Sequence, residues 1–478
     1  MSQPSHQYRV QQKIARDASS KLKIIIVGAG LGGLGAAISA LLAGHDVTVL
    51  EAAAQIGEIG AGIQVLPNSA RVLFAWGLKE KLEQHATSPQ KCNFIGWKGN
   101  HLSAMDYHAY ARASKGVFWD FHRANLHRCL LDRAVELGAE ILTNARAESF
   151  TVQQGMENGV VTTSATIHLA DGRTMTADLL VGADGINSQL REALVGHADP
   201  PTPTGDLAYR LLLDTASMMD DPELRDMVLN PQVNYWVGPG AHAVNYVLRG
   251  GKQLNMVLLV PDNMPPDSPS TGQGTSEEMR ALYEDWDPRI KKLLAMRTEG
   301  EVLKWRLCIR PGLEPTWSHP SGSVTLLGDA VHATLPYLAS GAGMALEDAG
   351  VLGLCLARLT DKSAASKGRA LAVYEACRRE RTEKVVQRGS YNQWMYHMPD
   401  GEEQRERDEQ MKAFEEIDKK WLSEESPVLP ESLETGGDPF PWRYHGVGRW
   451  LLTYDMWKDV EKRWGEAAAA EIPPRANM

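Results

Sequence analysis

The sequence predicts an α/β fold in which a domain of alternating strands and helices is interrupted by an inserted mixed β-sheet and followed by a helical C-terminal region. Three observations carry this. Residues 22–50 read as strand, tight turn, helix, strand; residues 205–310 are strand-rich with Gly and Pro turns; and a buried strand followed by a long helix returns at 324–359. The first domain is therefore resumed late in the chain, and the middle sheet is an insertion.

The first run, Leu22 to Val27, is short and β-branched, and Gly28 to Gly33 (GAGLGG) leads into an Ala- and Leu-rich helix ending near Ala43, with Val47 to Leu50 as the next strand. A helical pattern spans Pro67 to Leu82, and another runs from His122 to Gly138 with apolar residues three and four apart. Alternating Thr, Val and Ile between about 150 and 185 predicts antiparallel strands ending in DLLVGADG. After the strand Val324 to Leu327 come GDAVHATLPYLASGAG and the helical stretch Met344 to Leu359. From Lys367 onward the chain is helical and charged. Mixed charges at 401–420 read as a solvated face, Pro and Gly at 427–441 as a loop, and Trp450 to Trp464 as a final helix. The domain boundaries expected are a flexible tail at 1–21, a first domain at 22–200 with small strand insertions, the inserted sheet at 201–310, the first domain resumed at 311–380, and a helical region at 381–478.

Length and composition exclude several function classes. A chain of 478 residues is about three times the usual ~150-residue domain, so a sizeable core is expected. The net charge of −10 argues against a general binder of nucleic acid or anionic membranes. The five cysteines are odd in number and widely spaced, without CxxC, so neither a disulfide framework nor a zinc site is indicated and no metal is expected. A reducing, cytoplasmic location follows, with a mitochondrial one left open. No apolar run reaches the roughly 18 residues of a transmembrane helix, and residues 1–21 lack the apolar core of a secretory signal.

Gly28, Gly30 and Gly33 have GxGxxG spacing. Such glycines let the chain turn sharply and bring backbone N–H groups to a pyrophosphate at a helix N-terminus. The motif follows a strand and opens a helix, and Glu51 ends the next strand, where a carboxylate can accept from ribose hydroxyls. Dinucleotide binding is the expectation, against a turn used only for packing.

Further motifs decide which dinucleotide. GAGLGG with Glu51, EIGAGIQVLPNSARVL at 58–73, HRANLHRCLL at 122–131, DLLVGADGINSQLR at 178–191 and LLGDAVHATLPYLASGAGMALEDA at 326–349 together resemble the group A FAD-dependent aromatic hydroxylases. Within them the sequence is most similar to salicylate hydroxylase and 3-hydroxybenzoate 6-hydroxylase types, including fungal relatives, over roughly residues 22–380. The resemblance implies a Rossmann-like FAD-binding domain with an inserted substrate-binding sheet. It also implies one FAD held by Gly28, Gly30, Gly33 and Glu51, with Arg123 and Asp329 reaching its pyrophosphate and ribityl chain. Gly341, Ala342 and Gly343 would turn a helix N-terminus toward the flavin pyrimidine edge, and Ala61 and Gly62 would let backbone pass close to the isoalloxazine. Arg123 in a surface salt bridge and Asp329 as a helix cap are the plainer readings. Asp184, in the DG segment with Arg191, matches a motif linked to FAD and nicotinamide contact; ordering the loop, with Arg191 paired to it, is the alternative. No second GxGxxG lies in a strand–helix context, so NADH or NADPH is expected as a transient co-substrate.

The resemblance implies reduction of FAD by NAD(P)H, capture of O₂ as a flavin C4a-hydroperoxide, and transfer of one oxygen to an electron-rich ring. His242 and Tyr246, four apart in HAVNY, lie on one face of a strand and resemble the His and Tyr of related hydroxylases, where the histidine is base toward the phenol. A lone histidine is more often structural. Arg210 resembles an arginine that holds a phenolate or carboxylate, with an inter-domain salt bridge as its alternative, and Tyr337 would line the substrate pocket or simply pack. Two positions depart from the pattern, Ala333 replacing the usual proline and Ser340 the usual glutamine, while Pro336 matches the salicylate type and differs from the glutamine of the 3-hydroxybenzoate enzymes. The expected partners are a small aromatic substrate and O₂, with no nucleic acid, in a monomer or homodimer. Two alternatives stay open, a tailoring hydroxylase or epoxidase acting on a larger polyketide or indole metabolite, and a non-oxygenating FAD-binding redox sensor.

Overall fold

The computed structural model describes residues 9–57, 62–157, 159–297, 300–423 and 437–470. Apolar β-branched runs build a five-stranded parallel sheet in the order Val324–Leu326, Leu179–Gly182, Lys23–Val27, Asp46–Leu50, Glu140–Leu142. Its central strands are buried on both faces, which is why they read as continuous apolar runs instead of alternating ones.

Two helices on this sheet set the geometry of the site. Leu31–Leu42 and Gly341–Leu356 run side by side in the same direction, Gly32 against Ala345, Gly35 against Ala349 and Ser39 against Gly353. A Cβ on Gly353 would lie 2.4 Å from that of Ser39, so only glycine admits this approach. Because the helices are parallel, both N-termini open at the same end.

The inserted sheet has eight strands in the order Thr271–Thr275, Glu301–Ile309, Thr202–Asp214, Gln253–Pro261, Ala241–Leu248, Gln232–Gly238, Lys91–Gly96, His101–Asp106. It is mixed because Gln232–Gly238 pairs in parallel with Lys91–Gly96 while its other pairings are antiparallel. Two of its strands thus come from the segment before residue 200. A three-stranded antiparallel sheet, Ala147–Glu157, Val160–Leu169 and Thr174–Ala177, and the pair Gly62–Val65 with Trp119–His122 complete the β structure.

Several expectations are refined. The helix from Pro67 ends at Ala75 because Gly77 takes φ +80°, and a separate short helix, Lys79–Glu83, follows. The Trp-rich end is two helices, Gly448–Leu452 carrying Trp450 and Met456–Ala470 carrying Trp457 and Trp464. Helix Glu402–Leu422 is solvated on one side only; Arg407, Met411, Glu415, Asp418 and Trp421 are buried. The loop expected from 427 lies mostly outside the described residues. The expected flexible tail is tied down in its later part: the Arg16 guanidinium donates to the carbonyls of Ala43, Leu356, Ala357 and Leu359, satisfying the C-terminal ends of both parallel helices. The described cysteines are all free thiols. Among the described residues no helix is long and apolar enough to cross a membrane, and no cluster of metal-ligating side chains occurs.

Candidate active site

The glycine turn is shaped by close contacts. Gly28 has φ +104°, and a Cβ there would meet the Ala183 carbonyl oxygen at 2.3 Å. At Gly30 a Cβ would meet nothing within 4 Å, and this residue lines a cavity of about 330 Å³. Between them Ala29 is clamped. Its N–H donates to Glu51 Oε2 at 3.0 Å, and its carbonyl is 2.7 Å from His127 Nε2. Glu51 Oε1 accepts from the Ala53 N–H at 2.8 Å, so one oxygen of this carboxylate braces the turn and the other the segment that follows Glu51. Glu51, Gly28 and Gly33 stand behind the cavity wall that Gly30, Leu31 and Gly32 form.

The second helix N-terminus enters the same cavity through Gly341 and Ala342, while Gly343 lies behind them, where a Cβ would meet Ser69 at 3.5 Å. Asp329 opens into the cleft with protein around its other sides, and this burial raises its carboxyl above the usual range, partly offset by His332 and Arg123. The turn before it is held from below: Gly328 N–H donates to Asp348 Oδ2 at 3.0 Å, and Asp348 is bound by His332 and Arg378. Arg123, the first residue of helix Arg123–Leu137, lines the cavity opposite. The Asp184 carboxylate is engaged by Ser188 Oγ at 2.6 Å and the Leu190 N–H at 3.1 Å, with its neighbours Ala183 and Gly185 facing the cavity. Arg191 does not pair with it. Instead its Nε donates to Asp199 and its other nitrogens to the carbonyls of Gly312, Ala330 and Val331.

The inserted sheet supplies the remaining wall. His242, Val244 and Tyr246 alternate along one strand and face the cavity, while Ala243 and Val247 pack into the core behind. Gly62 is pressed against this strand: a Cβ would lie 2.6 Å from the Tyr246 hydroxyl, and its N–H donates to Asn255 Oδ1 at 2.8 Å. Ala61 lies outside the described residues. Arg210, half-buried, has its guanidinium 5.1 Å from the Trp305 ring and its Nε buried without a hydrogen-bond partner; burial lowers its pKa. Tyr337 lines the cavity and donates its hydroxyl to Asp206 Oδ2. The sequence-predicted residues Gly30, Gly62, Arg123, Arg210, His242, Tyr246, Asp329, Tyr337, Gly341 and Ala342 therefore surround one space.

Sequence reasoning missed other groups here. Gln64 lines the cavity and donates to Asp120 Oδ1 at 3.0 Å; complete burial pushes the Asp120 carboxyl up to about 8. His397 Nε2 lies 2.7 Å from His242 Nδ1, and His397 Nδ1 lies 3.6 Å from Asp206 Oδ2. No local signal links His397 to His242, 155 residues away, although Asp206 stands four residues before Arg210 on its strand. His127 could have been found, one helical turn beyond Arg123 in HRANLH.

These features fit a dinucleotide carrying a polar ring system. Open space at Gly30, two parallel helix N-termini and Arg123 favour a pyrophosphate, while the unpartnered buried atoms Arg210 Nε and Thr334 Oγ1 border the space beyond. The FAD binding domain family matches residues 21–389. The FAD-dependent monooxygenase OpS4 of Beauveria bassiana (strain ARSEF 2860) is 40% identical over 409 residues, 84% of this chain and 92% of that one. The 3-hydroxybenzoate 6-hydroxylase of Klebsiella oxytoca is 34% identical over 76% of this chain and 86% of its own. A salicylate hydroxylase substrate complex shares the fold, with TM-score 0.70 and 22% identity over 93% of this chain and 98% of that one. The chain belongs to the FAD binding domain family and is a flavin-dependent monooxygenase of the group A aromatic hydroxylases.

Proposed function

We propose that this enzyme uses NADH or NADPH and O₂ to hydroxylate a small phenolic or aromatic-carboxylate ring, with oxidative decarboxylation of a salicylate-like substrate as the leading case. The observation that carries the reading is the single cavity of about 330 Å³, in which Arg210, His242 and Tyr246 face Asp329 and the two helix N-termini.

The chain's own residues divide the work. Gly28 and Gly33 shape the turn, Glu51 braces it, and the backbone at Gly30 with Arg123 receives the pyrophosphate. Asp329 would accept from the ribityl hydroxyls of FAD, and the N–H groups at Gly341 to Gly343 would favour negative charge at its pyrimidine edge. When bound, FAD supplies the two-electron chemistry with the nicotinamide nucleotide and the activation of O₂. Arg210 pairs with the substrate's carboxylate or phenolate, which satisfies its buried Nε. His242 Nε2 takes the phenolic proton and so raises the electron density of the ring carbon to be oxygenated. Burial and the facing His397 hold His242 well below its ordinary pKa, so it is a neutral base at working pH. Tyr246 and Tyr337 wall the ring and keep water out.

The test is to purify the protein, record its visible spectrum, and follow NADH and NADPH oxidation with oxygen uptake and product analysis, with and without salicylate. A yellow protein whose NAD(P)H consumption rises with salicylate and yields catechol is the expected result. A yellow protein that salicylate does not stimulate would move the substrate to other aromatic compounds.

A further inference from the structure

We propose that His397 and Asp206 form a proton relay behind His242, which fixes the tautomer of that histidine and carries the phenolic proton away from the cavity. The inference rests on the reading of His242 as the base toward a phenol.

His242 Nδ1 and His397 Nε2 are 2.7 Å apart, so one of these nitrogens carries a hydrogen and the other accepts it. Asp206 decides which. Its Oδ2 lies 3.6 Å from His397 Nδ1 and favours a hydrogen on that nitrogen, leaving His397 Nε2 as the acceptor. His242 Nδ1 must then be the donor, and His242 Nε2 keeps its lone pair. In the opposite arrangement His242 Nε2 would carry a hydrogen and could take no proton from a phenol.

Three transfers follow. The phenol O–H bond breaks and an Nε2–H bond forms on His242, with the O–H electron pair staying on oxygen. The Nδ1 hydrogen of His242 passes to His397 Nε2 and, once the 3.6 Å separation from Asp206 Oδ2 closes to hydrogen-bond length, the Nδ1 hydrogen of His397 passes to Asp206, which becomes a neutral carboxyl. Nothing is oxidised or reduced. His397 caps the C-terminus of helix Ala364–Tyr396; its side chain is 11% exposed and that of Asp206, where the relay ends, 7%.

The surroundings offer few other proton acceptors. The rings of Tyr337 and Tyr396 face His242 edge-on at 4.6 and 5.0 Å; the Tyr396 hydroxyl donates to the Tyr337 carbonyl, and the Tyr337 hydroxyl donates to Asp206. Tyr283 donates its hydroxyl to the His242 backbone carbonyl. Around Asp206 stand Tyr337, Gln393 and, through its charge, Asp262. Burial lowers His397 to about 4 and raises Asp206, which brings the proton affinities of the two groups together.

The first experiment is histidine-selective nitrogen NMR on the FAD-loaded protein, assigned with His242→Gln and His397→Asn. His242 and His397 are both expected as Nδ1–H tautomers, and His397→Phe should remove that preference at His242. The second reads the ionisation of bound 4-nitrophenol by its absorbance. Its midpoint should rise by about one pH unit or more in His397→Phe and in Asp206→Asn. His397→Asn, whose side-chain oxygen can still accept from His242, should keep the His242 tautomer yet show part of that rise. An Nε2–H tautomer at His242 in the unaltered protein, or an unmoved midpoint in variants that retain FAD, overturns the relay. A correct tautomer in a protein that does not lower the midpoint of bound 4-nitrophenol overturns instead the base assignment on which the relay rests.

Discussion

A methyl group on Gly33 would sit 1.9 Å from the carbonyl oxygen of Gly28, so the third glycine of the turn is required by the fold itself. Gly30 differs, since its φ of −73° suits any residue and no atom lies within 4 Å of where its Cβ would be. Gly33→Ala should therefore destabilise the apoprotein by about 1–3 kcal/mol or more, as overpacking does, and lose FAD with it. Gly30→Ala should melt like the unaltered protein and yet bind FAD more weakly, because the methyl occupies the cofactor's space. Thermal melts of apoprotein together with flavin stoichiometry separate the two. Equal melting temperatures for both variants would contradict the steric account.

Arg210 carries a buried Nε with no partner, and burial lowers its pKa, so the apoprotein is strained at this residue. Arg210→Met keeps most of the stem and removes the charge. Its melting temperature should be unchanged or higher, whereas affinity for salicylate should fall about 10–100-fold, the value of a charge-assisted hydrogen bond of roughly 1.5–3 kcal/mol. Titration of the flavin spectrum with salicylate measures this. Unaltered affinity would remove Arg210 from substrate binding.

His45 is wholly buried between the two parallel helices; Leu22 N–H donates to its Nδ1 at 3.1 Å and its Nε2 lies 3.2 Å from the Leu356 carbonyl. Burial, and then Arg16, lower it from 6.5 to about 4. The unfolded chain therefore binds a proton as pH falls through 6.5 while the folded chain does not until about 4. Stability from this residue is complete above that window, declines through it by about 1.4 kcal/mol per pH unit, and is flat below. Urea unfolding at several pH values should show a shallower decline in His45→Asn than in the unaltered protein. The comparison must be of slopes, because His397 titrates in the same direction.

Much of this architecture was legible in the sequence because its signals are local. The β-branched run before Gly28, the three glycine spacings and the i, i+4 pair of His242 and Tyr246 each state a backbone path over a few residues. The termini of helices were less so: Gly77 and the break at Thr453–Asp455 interrupt apolar patterns that continue across them. What the sequence concealed is contact between distant segments. Asp120 meets Gln64 across the strand pair Gly62–Val65 with Trp119–His122, and His397 meets His242 and Arg16 reaches Leu359 because the late helices fold back on the inserted sheet and the first domain. Each is a single polar side chain with no periodicity to mark it. Glu51 shows the remaining difficulty, since its position pointed to ribose while one of its oxygens holds the glycine turn and the other the Ala53 N–H.

The turn that presents Asp329 depends on a buried charge cluster immediately behind the cavity wall. Asp348 accepts from the Gly328 N–H, from His332 Nε2 at 2.6 Å and from Arg378 Nε at 2.7 Å; Arg378 also reaches Glu347 at 2.8 Å, as does Arg381. These charges hold Asp348 at about 2 despite complete burial. With Glu347, Asp348, Arg378 and Arg381 the cluster is neutral, so Asp348→Asn leaves one buried positive charge in excess and should cost about 3–5 kcal/mol. Adding Arg378→Met restores neutrality and should recover much of that loss. It does not restore a full acceptor for the Gly328 N–H, so Asp329 stays loosely held and FAD affinity should remain low in the double variant. Denaturant unfolding of the two single variants and the double variant measures the first effect, and flavin fluorescence titration measures the second. If FAD affinity returned with stability, the cluster would serve folding alone. If it stays low in a stable double variant, Asp348 is a positioning residue that acts on the cofactor site through Gly328.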